Sequence, residues 1–208
     1  TTALGLINNE AQLKIGQSVA VIGGGGVGAC IVLGAAMVGA YPIIGIDREV
    51  AKATIMQRRG ATHVHIHNYQ RSIAHVIKQI TGSRGVDVLI DTTGDVGMIS
   101  NGYDAVASGG RMVLVGQPAA NAVLMMKMRP HYVGKTMLDS QGGLTNPSVD
   151  IPRYAMLYLA GRLPVSDFVT DHYSLTDVNK AMARVRTGQA GRVALWMNSH
   201  ALKPKEAA

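Results

Sequence analysis

The sequence is poor in cysteine, in large aromatic side chains and in charge. Cys30 is the one cysteine among 208 residues, which excludes an intrachain disulfide and a cysteine-based zinc cluster. One tryptophan, one phenylalanine and seven tyrosines leave aliphatic residues and methionine to build the core. Glycine interrupts each apolar stretch after about ten residues, too few to span a membrane. Hydrophobic residues make up 47% and charged residues 16% of the chain, a balance that excludes disorder for most of it.

Basic residues outnumber acidic ones, giving a formal charge of +7. They are scattered, with Arg58 and Arg59 as the one adjacent pair, so we interpret them as solvated surface rather than a nucleic-acid-binding patch. The first residues, Thr1 to Ala3, have neither the basic start nor the cleavage site of a signal peptide. The missing signal peptide and the scarcity of cysteine predict a cytoplasmic protein. The scattered basic residues and the short apolar stretches predict that it binds no nucleic acid and no membrane. The chain begins without methionine, as a processed chain or a portion of a longer one would.

Short apolar segments alternate with helical segments through most of the chain. Strands rich in Val and Ile that are apolar on both faces are typical of parallel sheets. The alternation predicts an α/β fold with a doubly wound, six-stranded parallel sheet. The predicted strands are residues 18–23, 42–47, 62–66, 86–91, 111–115 and 133–140. The predicted helices between them are residues 27–39, 49–59, 72–80 and 98–107, the last followed by a turn at Gly109 and Gly110.

The alternation of predicted strands and helices becomes less regular after residue 116. A helix is predicted over residues 150–160 and a short strand over residues 168–172. Ser174 and Asp177 have the spacing of a capping box, which predicts a helix from there to Arg186. A final strand is predicted over residues 192–197, and residues 201–208 are predicted to be a flexible tail.

A glycine-rich turn is the sharpest motif. Gly23, Gly25 and Gly28 fit the spacing G-x-G-x-x-G after a predicted strand and at the start of a helix. In such a turn the first glycine allows a tight bend, the second admits a pyrophosphate and the third lets helix and sheet pack closely. The helix N-terminus then offers N–H groups to the phosphates. The pattern predicts a dinucleotide site, against the alternative of a glycine turn with no ligand.

An acidic residue follows at the expected distance. Asp47 lies nineteen residues after Gly28, at the end of the next predicted strand. A carboxylate accepts hydrogen bonds from both adenosine ribose hydroxyls and repels a 2′-phosphate, which favours NAD over NADP. Arg48 adjoins it and is the kind of residue that attracts a phosphate. The alternative for Asp47 is an N-cap of the following helix, and the two roles are compatible.

In these motifs the chain resembles the cofactor-binding half of medium-chain, zinc-dependent alcohol or polyol dehydrogenases. The resemblance implies that it has their Rossmann fold. The resemblance runs through nearly the whole length and is most specific in the glycine turn and the strand ends. The matching stretches are residues 1–5, 21–28, 43–47, 60–62, 86–94, 109–116 and 186–195, with a looser match over 134–143.

The resemblance implies a set of cofactor-binding residues. By that likeness Thr2 approaches the nicotinamide, Asp47 and Lys52 hold the adenosine ribose, and Arg192 reaches the pyrophosphate. Thr92 and Thr93 would lie against the nicotinamide ribose, at the end of the fourth strand. The pyrophosphate turn would comprise Gly23, Gly25, Gly26, Val27 and Gly28. The strand ends near the carboxamide would comprise Val115, Gly116, Gln117, Ser140 and Gln141.

The resemblance also implies a division of the chain. We expect a linking helix over residues 1–13, an NAD-binding domain over 14–146 and, over 147–200, a C-terminal segment of an incomplete catalytic domain. Members of the family carry a GroES-like domain before this point, which supplies the zinc ligands and the residue that contacts the alcohol. We therefore expect no catalytic and no metal-binding residue here: the chain should bind NAD(H) without turnover. Residues after about 147 would leave an apolar face uncovered.

The favoured function is that of the NAD(H)-binding portion of a zinc-type oxidoreductase interconverting an alcohol or polyol and its carbonyl compound. One alternative is a stand-alone, non-catalytic NAD(H)-binding module. Another is a zinc-independent enoyl or quinone reductase of the same superfamily, which would use NADP. Asp47 argues against the last of these.

Two further patterns have competing interpretations. His63, His65 and His67 alternate along one strand, but we interpret them as exposed polar positions rather than a metal site, and we expect their substitution to leave cofactor affinity unchanged. For the Met-rich segment 122–127, from Ala122 to Lys127, the family resemblance implies pairing across a two-fold axis in a homodimer, with local core packing as the alternative. Cys30 and Asp91 are interpreted as structural residues.

Overall fold

The computed structural model describes residues 1–128, 132–188 and 190–197. Two compact units are present, Thr1–Ala155 and the chain from Met156 onward. In the first unit the strands are β1 Val19–Ile22, β2 Ile43–Asp47, β3 His63–Ile66, β4 Val86–Asp91, β5 Val106–Leu114 and β6 Thr136–Asp139. The helices that precede or connect these strands are α1 Thr2–Gly5, continued by a wider turn over Leu6–Glu10, then α2 Gly26–Met37, α3 Val50–Arg58, α4 Ile73–Ile80 and α5 Val96–Tyr103.

The six strands form one parallel sheet in the order β3-β2-β1-β4-β5-β6. The chain runs outward from β1 to one edge and then returns to run outward from β4 to the other. This order confirms the predicted doubly wound sheet, and it opens a crevice where the direction reverses, at the carboxyl ends of β1 and β4. Every residue of β1 is buried, as a strand covered on both faces requires.

Apolar clusters cover both faces of the sheet. One cluster joins the α1 region and α2 to the sheet through residues such as Leu6, Ile31 and Val32. The other lies under α4 and α5 and includes Ile73, Ile77 and Tyr103. The scarcity of aromatic residues is thus met by close packing of Ile, Val and Ala, with Met56 filling the space above Gly45.

The fifth strand begins earlier than predicted. The helix predicted over residues 98–107 ends at Tyr103, and β5 starts at Val106 and continues through Gly109 and Gly110. Its pairing with β4 shifts register between Val86 and Val88, and Gly109 adopts a φ of +71°. The glycine pair is therefore a bulge inside a strand and not a turn before one.

The remaining elements are α6 Pro147–Leu159, β7 Val169–Ser174, α7 Val178–Arg186 and β8 Arg192–Trp196. Helix α6 begins three residues before the predicted start. Strands β7 and β8 form a parallel pair joined by α7. The Ser174 hydroxyl donates to the Asp177 carboxylate at 2.7 Å and makes no capping bond to the backbone, so the capping box is not formed as predicted. The predicted tail at residues 201–208 lies outside the described residues.

Apolar side chains are exposed along α6. Ile151 is 52%, Met156 73% and Leu159 82% exposed, and the helix has no buried residue. In the part of the chain that the structure describes, no helix combines the length and hydropathy needed to cross a membrane.

Candidate cofactor-binding site

The glycine turn leaves β1 and enters α2 at the centre of the crevice. Gly23 has a φ of +95°, which favours glycine, and its N–H donates to the Ile46 carbonyl at 2.8 Å. The Thr92 hydroxyl donates to the carbonyls of Ile22 at 2.9 Å and Gly23 at 3.1 Å. A side chain at the end of β4 thus fixes the turn at the end of β1. Thr92 has this structural role whether or not it also contacts a ligand.

The second and third glycines of the motif have different surroundings. A Cβ at Gly28 would overlap the Gly23 carbonyl oxygen, so glycine is required there for α2 to approach the strand. A Cβ at Gly25 would meet no atom within 4 Å. The space beside Gly25 is therefore open, and it lies where the motif admits a phosphate.

Helix α2 begins without a side-chain cap. Ser72 accepts from the His75 N–H at the start of α4, and Asp95 accepts from Gly97 and Met98 at the start of α5. Gly25 takes the corresponding position in α2 and has no side chain with which to accept. The first N–H groups of α2 therefore remain available, together with the positive end of the helix dipole, to an anion.

Asp47 connects the next strand to the same turn. Its Oδ2 accepts from the Gly24 N–H at 2.6 Å and its Oδ1 from the Glu49 N–H at 2.8 Å. The residue is 8% exposed and lines the crevice. Each oxygen retains a lone pair, so the carboxylate can also accept from ligand hydroxyls. Asp47 is therefore both a structural acceptor at the start of the α3 segment and a candidate ribose ligand.

The crevice contains a cleft of about 340 Å³. Seven residues predicted from the sequence line it: Gly23, Gly25, Asp47, Arg48, Lys52, Thr92 and Thr93. The structure adds further lining residues that sequence reasoning missed: Ile22, Ile46, His67, Tyr69, Asp95 and Met98. The Arg48 side chain is 73% exposed and extends towards Glu49, with Nε 4.0 Å from its carboxylate.

His67 corrects the interpretation of the three histidines. The strand ends at Ile66, and His67 lies beyond it with 6% exposure, so the expectation of an exposed side chain is wrong for this residue. Its ring lies 4.7 Å from the Tyr69 ring, edge to face, and its Nδ1 is buried without a hydrogen-bond partner. Burial lowers the pKa of the His67 imidazole, while the Asp95 carboxylate opposes the shift. The sequence pattern does not predict that His67 lines the cleft, because its burial depends on neighbouring elements of the folded chain.

The ends of β4 and β5 are packed tightly together. The Thr93 hydroxyl donates to Asp91 Oδ1 at 2.6 Å, and the Gly94 N–H donates to Oδ2 at 2.9 Å. Burial raises the pKa of the Asp91 carboxyl although both groups donate to it. A Cβ at Gly116 would overlap the Gly94 nitrogen. Asp91 is thus a structural acceptor, as predicted, and Gly116 allows the two loops to meet.

The α1 region contacts the loop that follows β6. Glu10 is 6% exposed, and its Oε1 accepts from the Gln141 N–H at 2.7 Å. The Asn9 side chain donates to the Gly143 carbonyl at 2.9 Å, and a Cβ at Gly143 would overlap the Thr2 carbonyl oxygen. The Ser140 N–H donates to Leu114 at 2.7 Å. The structure therefore brings Thr2, Ser140 and Gln141 to one region; Val115, Gly116 and Gln117 follow the adjacent strand.

Two remaining predictions concern Arg192 and metal ligands. Arg192 is the exposed first residue of β8, in the second unit. Among the described residues, no three His, Cys, Asp or Glu side chains are grouped so that they could hold a metal ion.

These observations define a class of site. An open position at Gly25, an uncapped helix start and a buried carboxylate at the end of β2 all adjoin one cleft. They fit the diphosphate and the ribose of a dinucleotide, on a sheet with the Rossmann strand order.

The zinc-binding dehydrogenase family matches residues 26–155, which is more than half of the chain, and the chain belongs to this family. A curated relative, alcohol dehydrogenase-like 6 of Arabidopsis thaliana, is 30% identical over 196 residues. That alignment covers 93% of this chain and 51% of the relative. A probable S-(hydroxymethyl)glutathione dehydrogenase 1 of Schizosaccharomyces pombe is 29% identical over 95% of this chain and 52% of its own length.

Solved structures of alcohol dehydrogenases are also similar to this chain. An alcohol dehydrogenase zinc-binding domain protein from Burkholderia ambifaria superposes with a TM-score of 0.89 and 30% identity, over 95% of this chain and 53% of that one. Benzyl alcohol dehydrogenase from Acinetobacter calcoaceticus superposes with a TM-score of 0.89 and 27% identity, over 95% and 54%. The chain thus spans about half the length of the relatives it matches, and the predicted family is confirmed.

Proposed function

We propose that this chain binds NAD(H) in the cleft between the ends of β1, β2 and β4, as the cofactor-binding portion of a zinc-type dehydrogenase. The complete protein would interconvert an alcohol or polyol and its carbonyl compound. The observation that carries the proposal is the open position at Gly25, at the uncapped start of α2 and lining the same cleft as Asp47.

The proposed binding follows from the donors and acceptors around the cleft. The N–H groups at the start of α2 would donate to the diphosphate, and the Asp47 carboxylate would accept from the adenosine ribose hydroxyls. Lys52 lines the cleft beside Asp47 and adds a positive charge near the ribose. A 2′-phosphate would meet the Asp47 charge at close range, which supports NAD as the cofactor rather than NADP.

The residues of this chain would orient the nicotinamide and exclude water; they would not activate the alcohol. The chemistry that a nicotinamide would supply when bound is hydride exchange with the carbinol or carbonyl carbon of the substrate. In the complete protein, zinc would polarise the substrate oxygen. By the family resemblance, Thr93 would lie against the nicotinamide ribose, and Val115, Gly116 and Gln117 would hold the carboxamide. Their contribution would be position, which sets the distance and angle of hydride transfer.

Titration of the 208-residue chain with NADH, followed by nicotinamide fluorescence, tests the proposal. We expect saturable binding of NADH, and binding of NADPH weaker by at least about tenfold, or about 1.4 kcal/mol. We also expect no consumption of NADH when an aldehyde is added. A preference for NADPH would overturn the role given to Asp47, and absence of binding would overturn the proposal as a whole.

We further propose that the segment 122–127 forms the edge of a homodimer. Leu124 and Met126 pack against the core under α5, whereas Val123 is 75% and Met125 81% exposed. This alternation is typical of an extended segment that packs one face on the core and exposes the other, and the backbone edge of such a segment can pair with a second copy.

The cytoplasmic location also stays a prediction from the sequence.

A further inference from the structure

A second cavity lies at the opposite end of the sheet from the cofactor cleft. Its volume is about 550 Å³, and it shares no lining residue with that cleft. It is bounded by α4, by the connection from α4 to β4, by the start of β5 and by the segment before β6. This places it beside the amino ends of β4, β5 and β6, whereas the dinucleotide cleft lies at the carboxyl ends of β1, β2 and β4.

The cavity is strongly basic. Its charged lining residues are Lys78, Arg84, Lys127, Lys135 and one acid, Asp104. Asp87 neutralises Arg84, because the two side chains are 2.7 Å apart. Lys78 and Lys127 are exposed and form no ion pair with any residue that the structure describes. Among the lining residues, three lysines and one acid, Asp104, therefore remain without a neutralising ion pair in the part of the chain that the structure describes.

Lys135 is the unusual member of this group. It is only 7% exposed, yet no carboxylate within the described ranges forms an ion pair with it. Its Nζ donates to the Tyr103 carbonyl at 3.1 Å and lies 5.2 Å from the centre of the Tyr103 ring. A carbonyl and a ring face compensate a buried ammonium only in part. Burial and the charge of Lys78 both lower the pKa of the Lys135 ammonium, and the weaker effect of Asp104 opposes them.

We propose that this cavity binds a small anion carrying at least two negative charges, of the phosphate-ester class, with Lys78, Lys127 and Lys135 as its counterions. The volume suits a small organic ligand. The Ser83 and Ser108 hydroxyls also line the cavity and can donate to phosphate oxygens. A bound dianion would supply the negatively charged partner that the Lys135 ammonium does not have among the described carboxylates. The site is independent of the proposed cofactor binding, and it shares Lys127 with the segment proposed to form the dimer edge.

Calorimetric titration of the full 208-residue chain with inorganic pyrophosphate, at low ionic strength, tests the proposal. The double variant Lys78→Gln/Lys127→Gln removes two exposed charges of the cavity without disturbing the core. Lys14→Gln removes an equally exposed charge elsewhere and serves as the control. Gly25→Val places a side chain in the open space of the glycine turn and removes the competing anion site there.

The proposal predicts a pyrophosphate-binding event that persists in Gly25→Val and weakens about tenfold in the double lysine variant, since that variant removes two of the three proposed counterions. Lys14→Gln should change the affinity less than about twofold. Loss of binding in Gly25→Val with full affinity in the double variant would place the anion at the glycine turn. That result would overturn this proposal and leave the proposed function intact. Absence of binding, or an equal loss in Lys14→Gln, would also overturn it.

Discussion

The Asp47 carboxylate accepts a hydrogen bond of 2.6 Å from the backbone N–H of Gly24. This bond joins the end of β2 to the turn at the end of β1. The group that would select the cofactor therefore also holds the turn that would bind its phosphates. Substitutions at Asp47 should consequently change both the stability of the fold and the choice of dinucleotide.

Replacing Asp47 with serine removes the negative charge and leaves a small polar side chain at the end of β2. Serine cannot repel a 2′-phosphate and is too short to reach both ribose hydroxyls, so Asp47→Ser should bind NADH about tenfold less tightly and NADPH no worse than before. The lost acceptor for the Gly24 N–H should cost about 1–3 kcal/mol of stability in chemical denaturation. Asp47→Asn, which keeps one acceptor oxygen, is the matched control and should lose less stability. An unchanged NADH-to-NADPH ratio in Asp47→Ser would contradict the assigned role.

Two alanine substitutions in the glycine turn should differ in their effect on stability. Gly28→Ala forces a Cβ against the Gly23 carbonyl and should destabilise the fold by about 1–3 kcal/mol or more. Gly25→Ala meets no atom and has an ordinary φ of −65°, so its stability should stay within roughly 0.5 kcal/mol of the parent. Its NADH affinity should nevertheless fall. Urea denaturation and NADH titration of the same two proteins provide the comparison; full NADH affinity in Gly25→Ala would count against a phosphate at this position.

The central features of this site were predictable because they depend on local sequence. The tight turn at Gly23, the close approach at Gly28 and the position of Asp47 at a strand end all follow from residue type and spacing. The role of Thr92 was not predictable in the same way. Its hydroxyl acts on the carbonyls of Ile22 and Gly23, some seventy residues earlier in the chain, and only the parallel pairing of β1 with β4 brings them together.

The buried imidazole of His67 should make stability depend on pH. Its folded pKa is lowered, so the unfolded chain takes up a proton at a higher pH than the folded protein does. Stability should therefore fall as the pH drops from about 7.5 to about 5. His65, which lies 6.0 Å away and whose pKa is also lowered by burial, His67 and Arg71, adds to the same trend.

Thermal melts of His67→Gln at these two pH values should show a smaller difference than those of the parent chain. The exposed His63→Gln should behave like the parent. Because His67 lines the cleft, His67→Gln should also weaken NADH binding, by about threefold to tenfold if one packing contact of about 1 kcal/mol is lost. This replaces the expectation that all three histidines are irrelevant to the cofactor. An unchanged pH dependence in His67→Gln would show that another group is responsible.

The proposed dimer predicts a variant that is monomeric and still folded. Val123 and Met125 are exposed, so Val123→Lys/Met125→Lys should leave the fold of each chain intact while placing like charges opposite each other across the two-fold axis. Sedimentation velocity should show a dimer for the parent and a monomer for the variant. A parent chain that stays monomeric at high concentration would reject the dimer.

Errors in the predicted fold have a common physical origin. The Gly109-Gly110 pair has the local signature of a turn, yet Val106 and Arg111 on either side of it pair with β4, which keeps both glycines within β5 as a bulge. His67 follows an alternating strand and looks exposed in sequence, but it is 6% exposed and its ring packs edge to face against Tyr69. In both places contacts made in the folded chain decided the outcome over the local sequence pattern.

A crystal structure of the chain soaked with NAD⁺ tests the central claim most directly. It should show the diphosphate against the N–H groups of Gly25 and Gly26, and the adenosine ribose hydroxyls within hydrogen-bond distance of Asp47. Electron density for the dinucleotide elsewhere, or a cleft left empty at saturating NAD⁺, would contradict the account.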